Sequence, residues 1–254
     1  MTSQPTNDIH RSNTSIKSVA RAVALVQCFV DGDDTQSLTD LATRTQLSLS
    51  TAYRLLLTLC AGRILTRDPE TGRYRLGPVL LAMAQRAFSG RGLREALVLV
   101  EDLAARTGES ASLAIRDDDC AIVLLTATSS SPLRFDRPAG ARVPLLASAL
   151  GRALLAFAPA AGVVGRADTM PSMGPILDQV RAAGYALVDD EQFAGVRALA
   201  APVFGTSRRL EAAVGIHGPI SRVVDERLDR LATDVLGTAA SIGALPTVVN
   251  LASE

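Results

Sequence analysis

The sequence contains few of the residues that enzymes most often use for acid–base, redox or metal chemistry. Its 254 residues include two histidines, three cysteines and no tryptophan. Cys28, Cys60 and Cys120 stand singly, without the paired spacing of a zinc site or a disulfide framework, so we expect three buried thiols. Motifs for a zinc protease, a phosphate-binding loop, a dinucleotide-binding loop and a hydrolase nucleophile elbow are also missing. We therefore expect no metal, no cofactor and no enzymatic activity.

Long hydrophobic runs are missing as well. No apolar stretch approaches the roughly 18 residues that a membrane-spanning helix needs. Residues 1–15 are polar and lack the apolar core of a secretory signal, so we interpret them as a disordered leader. The length suits two domains, and a hydrophobic content of 48% is that of an ordinary globular protein. These features predict a cytoplasmic protein that does not enter a membrane.

Neither sign of charge is in excess over the whole chain, but the charges are unevenly distributed. Residues 1–91 contain 11 Lys and Arg against 7 Asp and Glu, a net charge of +4, and residues 92–254 contain 15 against 19, a net charge of −4. A basic first part is compatible with a surface that meets the phosphate backbone of a nucleic acid. An ordinary solvated face would have the same charge, so the charge alone does not identify a partner.

Three segments in the first ninety residues have the three- and four-residue apolar spacing of helices. The first follows Ser18, a candidate N-cap, and the second begins after Ser37 and ends near Thr45. A short connection at residues 46–48 leads directly into the third. Two short helices joined in this way and packed on a first are typical of a helix-turn-helix, whose second member can enter the major groove of DNA.

The third helix and a hairpin after it carry the predicted DNA contacts. The apolar side of the helix, at residues 52, 55, 56 and 59, would pack on the first two helices and leave the other side exposed. Strands at residues 64–67 and 74–76 flank a polar turn that is suited to lie along phosphates or enter a minor groove. The residues predicted to contact DNA are Ser50, Thr51, Tyr53 and Arg54 on the helix and Arg67, Arg73 and Arg75 on the hairpin.

The second part of the chain shows strands in runs with helices grouped around them, which predicts an α+β domain with a largely antiparallel sheet. Helices are predicted at residues 93–107, 149–158, 175–183 and 221–242. Strands are predicted at residues 112–115, 121–125, near 133, 198–204 and 210–216.

Nearly the whole chain resembles the IclR family of bacterial transcription regulators. In the first part the similar residues are Ser18, Phe29, Leu47, Leu59 and the segments 21–23, 38–42, 50–51, 54–56 and 74–77. In the second part they lie within segments 143–153, 184–197 and 200–219. The resemblance implies a winged helix-turn-helix at residues 16–76, a linker helix at 77–92, a GAF-like α/β effector-binding domain at 93–246 and a tail at 247–254.

The resemblance also implies partners and a ligand site. It predicts a homodimer, or a tetramer built as a dimer of dimers, on a palindromic double-stranded DNA operator, with a small effector, often an organic acid, that modulates operator binding as repressor or activator. The effector-binding residues that it implies are Leu145, Ser148, Ala149, Leu150, Asp189, Asp190, Glu191, Ala198, Gly215 and His217. The chain departs from the family pattern at Ser48 and Leu49, where proline and a basic residue are common, at Arg152, where lysine is common, and at Gly215 and His217, where serines are common.

Several of these residues have a second interpretation on physical grounds. The start of the helix after Ser148 can receive an anion, or Ser148 can simply cap that helix. The acidic run 189–191 can bind ligand or be a solvated turn. The apolar stripe at residues 76–87 can pack on its own domain or form a dimer contact. His217 can be structural or can face the effector, in which case an imidazole that titrates near ~6.5 would bind an anion more tightly as the pH falls.

Two other functions compete with a ligand-controlled regulator. Ser148, His217 and an acidic residue from 189–191 could form the nucleophile, base and orienting group of a small hydrolase. The chain could also be a DNA-binding repressor that responds to no ligand. Ligand-induced stabilisation beside an ester-hydrolysis assay would separate these functions.

Overall fold

The fold is taken from a computed structural model that describes residues 16–30, 32–89, 92–158, 173–189 and 193–245. The predicted leader and the predicted tail lie outside these residues. The chain divides into two compact units, Met1–Arg86 and Ala87–Glu254. Among the described helices, none is long and apolar enough to cross a membrane.

The first unit is the expected winged helix-turn-helix. Its elements are α1 (Lys17–Gln27), α2 (Leu38–Arg44), α3 (Leu49–Ala61), β1 (Leu65–Arg67), β2 (Tyr74–Leu76) and α4 (Pro78–Ser89). β1 and β2 pair antiparallel, and Gln36 forms an isolated bridge to Tyr74 on the outer side of β2. The three helices and the hairpin share one core, in which Leu25, Leu41, Leu56, Leu65 and Tyr74 are buried.

Side-chain caps define the two helices of the helix-turn-helix. Ser37 accepts a hydrogen bond from the backbone N–H of Asp40, and the Asp40 carboxylate accepts one from the N–H of Ser37, which forms a capping box at the start of α2. Ser48 accepts from the N–H of Thr51 and caps α3. Both caps are local in sequence, which is why the starts of these helices were predictable.

The predicted start of the first helix is wrong by two residues. Its N-cap is Ile16, whose carbonyl accepts from the N–H groups of Val19 and Ala20, so Ser18 lies inside the helix and does not cap it. The helix packs on the core through Leu25 and the partly buried Ala22 and Val26. A second set of apolar side chains, namely Ile16, Val19 and Val23 along this helix and Val30 just after it, is exposed in the first unit.

The second unit is built on one six-stranded antiparallel sheet, as the α+β prediction requires. Its strands are β3 (Ser110–Asp117), β4 (Cys120–Ala127), β5 (Arg142–Pro144), β6 (Ala186–Asp189), β7 (Val196–Phe204) and β8 (Leu210–Pro219), in the order β5-β4-β3-β8-β7-β6. Its helices are α5 (Leu93–Thr107), α6 (Ala149–Phe157), α7 (Met173–Ala183) and α8 (Leu228–Gly243). A 3-10 turn at Asp225–Arg227 precedes α8.

The two faces of this sheet belong to different cores. α5 and α8 pack on one face with Leu113, Val214 and Ile216, whereas α6 and α7 pack on the other face with Ala198 and Ala213. Because successive side chains of a strand alternate between faces, His217 points away from the core that contains Ile216. The small residues on the second face allow α6 to lie close to the sheet.

Two sequence-based assignments in this unit are wrong, and two strands were missed. Leu133 lies in an irregular connection rather than in a strand, and the last helix begins at Leu228 rather than at residue 221 because the chain turns first between Pro219 and Val224. β5 and β6 were not predicted. They contain three and four residues, which is too short for an alternating pattern to stand out.

Candidate functional site

The exposed side of α3 carries three of its four predicted DNA contacts. Ser50, Tyr53 and Arg54 are exposed, while Ala52 and Leu56 on the other side are buried. Thr51 is half-buried and its Oγ1 accepts a hydrogen bond from Ser48 Oγ at 2.9 Å, so its hydroxyl belongs to the helix cap. The arrangement leaves the first two turns of α3 free to meet base edges with a tyrosine and an arginine.

The arginines of the hairpin have different surroundings. Arg73 donates from Nε to Thr35 Oγ1 at 3.0 Å and from Nη2 to the carbonyl of Thr35 at 2.7 Å, which ties the hairpin to the connection between α1 and α2. Arg67 donates to the carbonyl of Gly72 at 3.3 Å and lies near the ring of Tyr74. Arg75 is exposed on β2. The pattern of arginines in the sequence does not distinguish these environments.

In the second unit, an irregular segment covers the end of β8. We call this segment, residues 128–141 between β4 and β5, the strap. The ring of Phe135 meets the ring of His217 edge-on at a centroid distance of 5.3 Å and lies 5.3 Å from the ring of Phe193. The Arg137 guanidinium carbon is 5.4 Å from the Phe135 ring centre, and Arg137 is only 4% exposed. The strap thus places the Phe135 ring against His217 and the buried positive charge of Arg137 near it, while Phe193 packs on the Phe135 ring.

His217 is a buried and incompletely satisfied group. The residue is 1% exposed, and its Nε2 has no hydrogen-bond partner among the described residues. Burial and the positive charge of Arg137 lower the pKa of the imidazole to about 3. This environment does not fit the alternative in which His217 titrates near ~6.5, because burial beside a positive charge favours the neutral ring.

Hydroxyl groups lie on the same face of the sheet as His217. Ser110 pairs with His217 in the ladder between β3 and β8, and Ser112 pairs with Gly215. Both serines are buried, and their neighbours Ala111 and Leu113 belong to the core on the opposite face. The neutral hydrogen-bonding groups of Ser110, Ser112 and His217 therefore share the sheet face on which the strap places Phe135 and Arg137.

The structure gives Ser148 the capping role. Its hydroxyl donates to the carbonyl of Pro144 at 2.6 Å and accepts from the N–H of Gly151 at 3.0 Å. A serine whose proton is already donated to a backbone carbonyl is poorly placed to be activated by a base, which argues against the hydrolase. The residues predicted with it, namely Leu145, Ala149, Leu150 and Ala198, are all buried in the core between α6 and the sheet.

The acidic residues predicted for the effector site are not brought to His217 as far as they are described. Asp189 accepts from Nε and Nη2 of Arg197 at 2.5 and 3.0 Å, and these hydrogen bonds lower the pKa of its carboxyl group. Arg197 also bonds Asp225. Asp190 and Glu191 lie outside the described residues. Asp189 thus has a structural partner already.

Gly215 is required for close packing. An added Cβ would lie 2.5 Å from the carbonyl oxygen of Leu199, so β7 and β8 can approach in this way only where the residue is glycine. It therefore supplies backbone and no side chain to the site.

Sequence reasoning missed the residues of the strap. Phe135 and Arg137 lie in a segment rich in serine, proline and charge, which is typical of a solvated loop. Phe193 stands apart from any periodic segment. No local pattern marks these three residues, because Phe135 reaches His217 through a contact between the irregular strap and a strand about 80 residues further along the chain.

Two family models together match most of the chain. The model of the IclR helix-turn-helix domain matches residues 18–69, and the model of the C-terminal domain of the bacterial transcriptional regulator IclR matches residues 87–244. The chain is 32% identical over 242 residues to the glycerol operon regulatory protein of Streptomyces griseus, which covers 90% of this chain and 95% of that protein. It is 28% identical to the transcriptional repressor IclR of Escherichia coli, with 89% of each chain covered.

Solved structures of such regulators have the same fold. An IclR transcriptional regulator from Alicyclobacillus acidocaldarius superposes with a TM-score of 0.80 at 25% identity and covers 90% of this chain and 98% of that one. An IclR homologue from Microbacterium hydrocarbonoxydans, in complex with 4-hydroxybenzoate, superposes with a TM-score of 0.75 at 22% identity and covers 89% and 97%. The second likeness concerns the fold alone.

The neutral state of His217 predicts a specific loss of stability in acid. Between the folded-state pKa of about 3 and an unfolded-state pKa of ~6.5, the unfolded chain binds a proton that the folded chain does not. The free energy of unfolding should therefore fall as the pH drops below about 6.5, with a slope of up to about 1.4 kcal/mol per pH unit from this residue. Urea unfolding of the wild type and of His217→Gln from pH 7.5 to 4.5 measures the difference in slope. Equal slopes would mean that His217 is protonated in the folded state.

Proposed function

Since the chain belongs to the IclR family of bacterial transcriptional regulators, we propose that an aromatic carboxylic acid binds beside Arg137 and His217 and controls operator binding. The observation that carries this proposal is the buried Nε2 of His217, which lacks a partner in the described part of the chain although the ring of Phe135 packs edge-on against the imidazole and the Arg137 guanidinium lies over Phe135. The ligand and the operator are coupled by linkage, with a coupling free energy of about 1–3 kcal/mol in typical allosteric proteins.

The chemistry of the site favours an aromatic acid over a small aliphatic one. The rings of Phe135 and Phe193 offer faces and edges on which another ring can stack. The guanidinium of Arg137 suits a carboxylate, because its donors match the two oxygens of that group. The imidazole of His217 and the hydroxyls of Ser110 and Ser112 suit a neutral polar substituent elsewhere on the ring. The complex of the Microbacterium homologue with 4-hydroxybenzoate supports the choice of this compound as a first probe.

We assign DNA binding to residues 16–76, the linker helix to residues 77–92 and effector binding to residues 93–246. We also propose that the protein works in the cytoplasm. Each of the two other acidic residues implied for the effector site, Asp190 and Glu191, is retained as a candidate effector-binding residue. Asp189 is not, because Arg197 occupies its carboxylate.

Removing the positive charge of Arg137 should weaken acid binding. For Arg137→Gln we expect a 10- to 100-fold loss of affinity for 4-hydroxybenzoate or benzoate, since hydrogen bonds between charged groups contribute about 1.5–3 kcal/mol. Calorimetric titration at pH 5.5 and 8 measures the affinity for the acid. The wild-type affinity should be the same at both pH values, because His217 stays neutral and an arginine side chain stays charged in this range.

The matched control is Arg134→Gln in the same strap. Arg134 is more exposed and pairs with its neighbour Asp136, so its loss should leave the affinity within about twofold, as is usual for exposed ion pairs. Equal losses in both variants, or tighter wild-type binding at pH 5.5, would remove Arg137 from the site.

On DNA, we propose that α3 reads bases and that the hairpin meets phosphates. Arg54 projects from the exposed side of α3 near its start, where an arginine can bond both acceptors of a guanine. Arg75 is exposed on β2, and Arg73 acts through the position of the hairpin because its guanidinium bonds Thr35. Ser50, Thr51, Tyr53 and Arg67 complete the proposed interface.

The two arginines should differ in how their loss affects specificity. Arg54→Ala should weaken binding to the operator by about 1–3 kcal/mol and reduce the preference at one base position. Arg75→Ala should weaken all sequences alike and reduce the slope of log affinity against log salt by about one. Titrations of the operator and of unrelated DNA at several salt concentrations measure both effects. Loss of base preference in Arg75→Ala, or its retention in Arg54→Ala, would reverse the assignment.

We further propose a homodimer that pairs through α4. Met83 on this helix is 59% exposed, and Leu76 just before the helix is also exposed. A dimer brings two copies of α3 to the half-sites of a palindrome, which is how helix-turn-helix proteins read DNA.

A negative charge introduced at Met83 on α4 should separate the DNA-binding domains of the two protomers. Met83→Glu should lower operator affinity by at least about tenfold, because a buried unpaired carboxylate opposes the contact. Gln85→Glu adds the same charge on the other side of the helix and should have little effect. Sedimentation velocity and operator titration measure assembly and binding. If Met83→Glu sediments and binds like the wild type, α4 is not the interface.

A further inference from the structure

Arg222 joins the strap to the sheet. It lies in the turn after β8, and its Nη1 donates to the carbonyl of Leu133 in the strap at 2.8 Å. Its Nε and Nη2 donate to the two carboxylate oxygens of Glu109 at 2.7 and 2.6 Å. All three guanidinium nitrogens therefore donate hydrogen bonds, two to Glu109, which precedes β3, and one to Leu133 in the strap.

Glu109 is buried next to the backbone of the site. The residue is 1% exposed, and a Cβ added at Gly218 would overlap its carboxylate. Gly218 directly follows His217, so this carboxylate packs against the chain beside the imidazole. Only glycine at position 218 leaves room for the Glu109 carboxylate.

The middle of the strap has little secondary structure to support it. No helix or strand occurs between Ala127 and Arg142. Ser129 anchors the first end, with its N–H on Ser110 Oγ at 3.0 Å, and Gly140 anchors the second, with its N–H on the carbonyl of Val123 at 2.7 Å. The bond from Arg222 meets the strap between these ends, two residues before Phe135.

A buried ion pair is a weak source of net stability, because the loss of hydration offsets much of the attraction between the charges. The bidentate contact has a geometric effect instead. It fixes the plane of the guanidinium, so that the third nitrogen points at one carbonyl oxygen.

We propose that the Glu109–Arg222 pair is a positioning device for the effector site, which holds the strap so that Phe135 and Arg137 close over His217. The inference rests on the proposed function, in which the strap supplies the contacts to the ligand. Neither Glu109 nor Arg222 touches the ligand. They act through the position of Leu133.

Arg222→Lys separates geometry from charge. A lysine keeps a cation beside Glu109, but a single ammonium cannot reproduce the planar fork that bonds both carboxylate oxygens and Leu133. The matched control is Arg106→Lys. Arg106 bonds Asp102, Asp234 and Thr238 between α5 and α8, on the opposite face of the sheet from His217. If Arg222→Lys fails to fold, Glu109→Gln removes the charge and one acceptor oxygen while Arg222 remains.

The first measurement is the titration of the His217 ring by NMR in the ligand-free full-length protein between pH 8 and 4.5. In the wild type and in Arg106→Lys the ring should remain neutral throughout. In Arg222→Lys the strap should open and admit water, which raises the pKa of His217 by at least about one unit toward its ordinary value. A lower melting temperature without this shift, or an equal shift in Arg106→Lys, would overturn the proposal.

The second measurement is the affinity for 4-hydroxybenzoate. Arg222→Lys should bind it about three- to tenfold more weakly than the wild type, as expected for the loss of one hydrogen bond that organises the site. If the wild type binds the acid and Arg222→Lys binds it with the same affinity, the positioning role is overturned. A wild type that does not bind the acid refutes the proposed effector class, while the ring titration still tests the Glu109–Arg222 pair by itself.

Discussion

The pairing of β3 with β8 is the contact on which the effector site depends. These strands lie at the centre of the six-stranded sheet, and their register sets Ser110 opposite His217 and Ser112 opposite Gly215. Alternation then sends the apolar residues of both strands to α5 and α8 and their polar residues to the other face. Because helices cover both faces, these polar groups are buried, and buried polar groups need partners. The strap meets this need in part: Ser129 bonds Ser110, while His217 keeps an unpaired nitrogen.

The first unit solves a different problem, which is to hold a helix by one side and leave its other side free. The two caps at Ser37 and Ser48 define where α2 and α3 begin, and the shared core holds the buried side of α3. Gln36 then fixes the hairpin: its backbone bridges Tyr74, and its side-chain amide donates to the carbonyl of Cys28 at 2.7 Å. Arg73 adds a second tie through Thr35. With the hairpin attached in this way, Arg54 on α3 and Arg75 on β2 are both exposed.

Whether a feature could be predicted from the sequence depends on the separation along the chain between the residues that form it. Caps, helices and the long central strands depend on neighbours within a few positions, and these predictions are confirmed for α2, α3, β7 and β8 apart from their ends. The family resemblance implied His217 as an effector-binding residue, which stays a prediction. It could not supply Arg137 or Phe135, because nothing in a serine- and proline-rich segment shows that it folds over a strand end far along the chain. The resemblance also implied Asp189 as an effector-binding residue, but no local pattern showed that Arg197, which lies opposite it in the ladder between β6 and β7, pairs with it.

The combination of a neutral histidine and a buried arginine restricts what the site can bind. Dehydration strengthens the field of the guanidinium and also keeps the imidazole uncharged, so the site presents a single fixed positive charge beside a neutral polar nitrogen. A ligand that carried a positive charge would be repelled by Arg137, and an entirely apolar ligand would leave Nε2 of His217 without a partner among the described residues. An anion with a separate neutral polar group avoids the repulsion and can bond this nitrogen. At position 217, where serine is common in the family, the imidazole adds a ring that packs edge-on against Phe135, and the site thereby gains aromatic surface at the same place where it gains a hydrogen-bonding nitrogen.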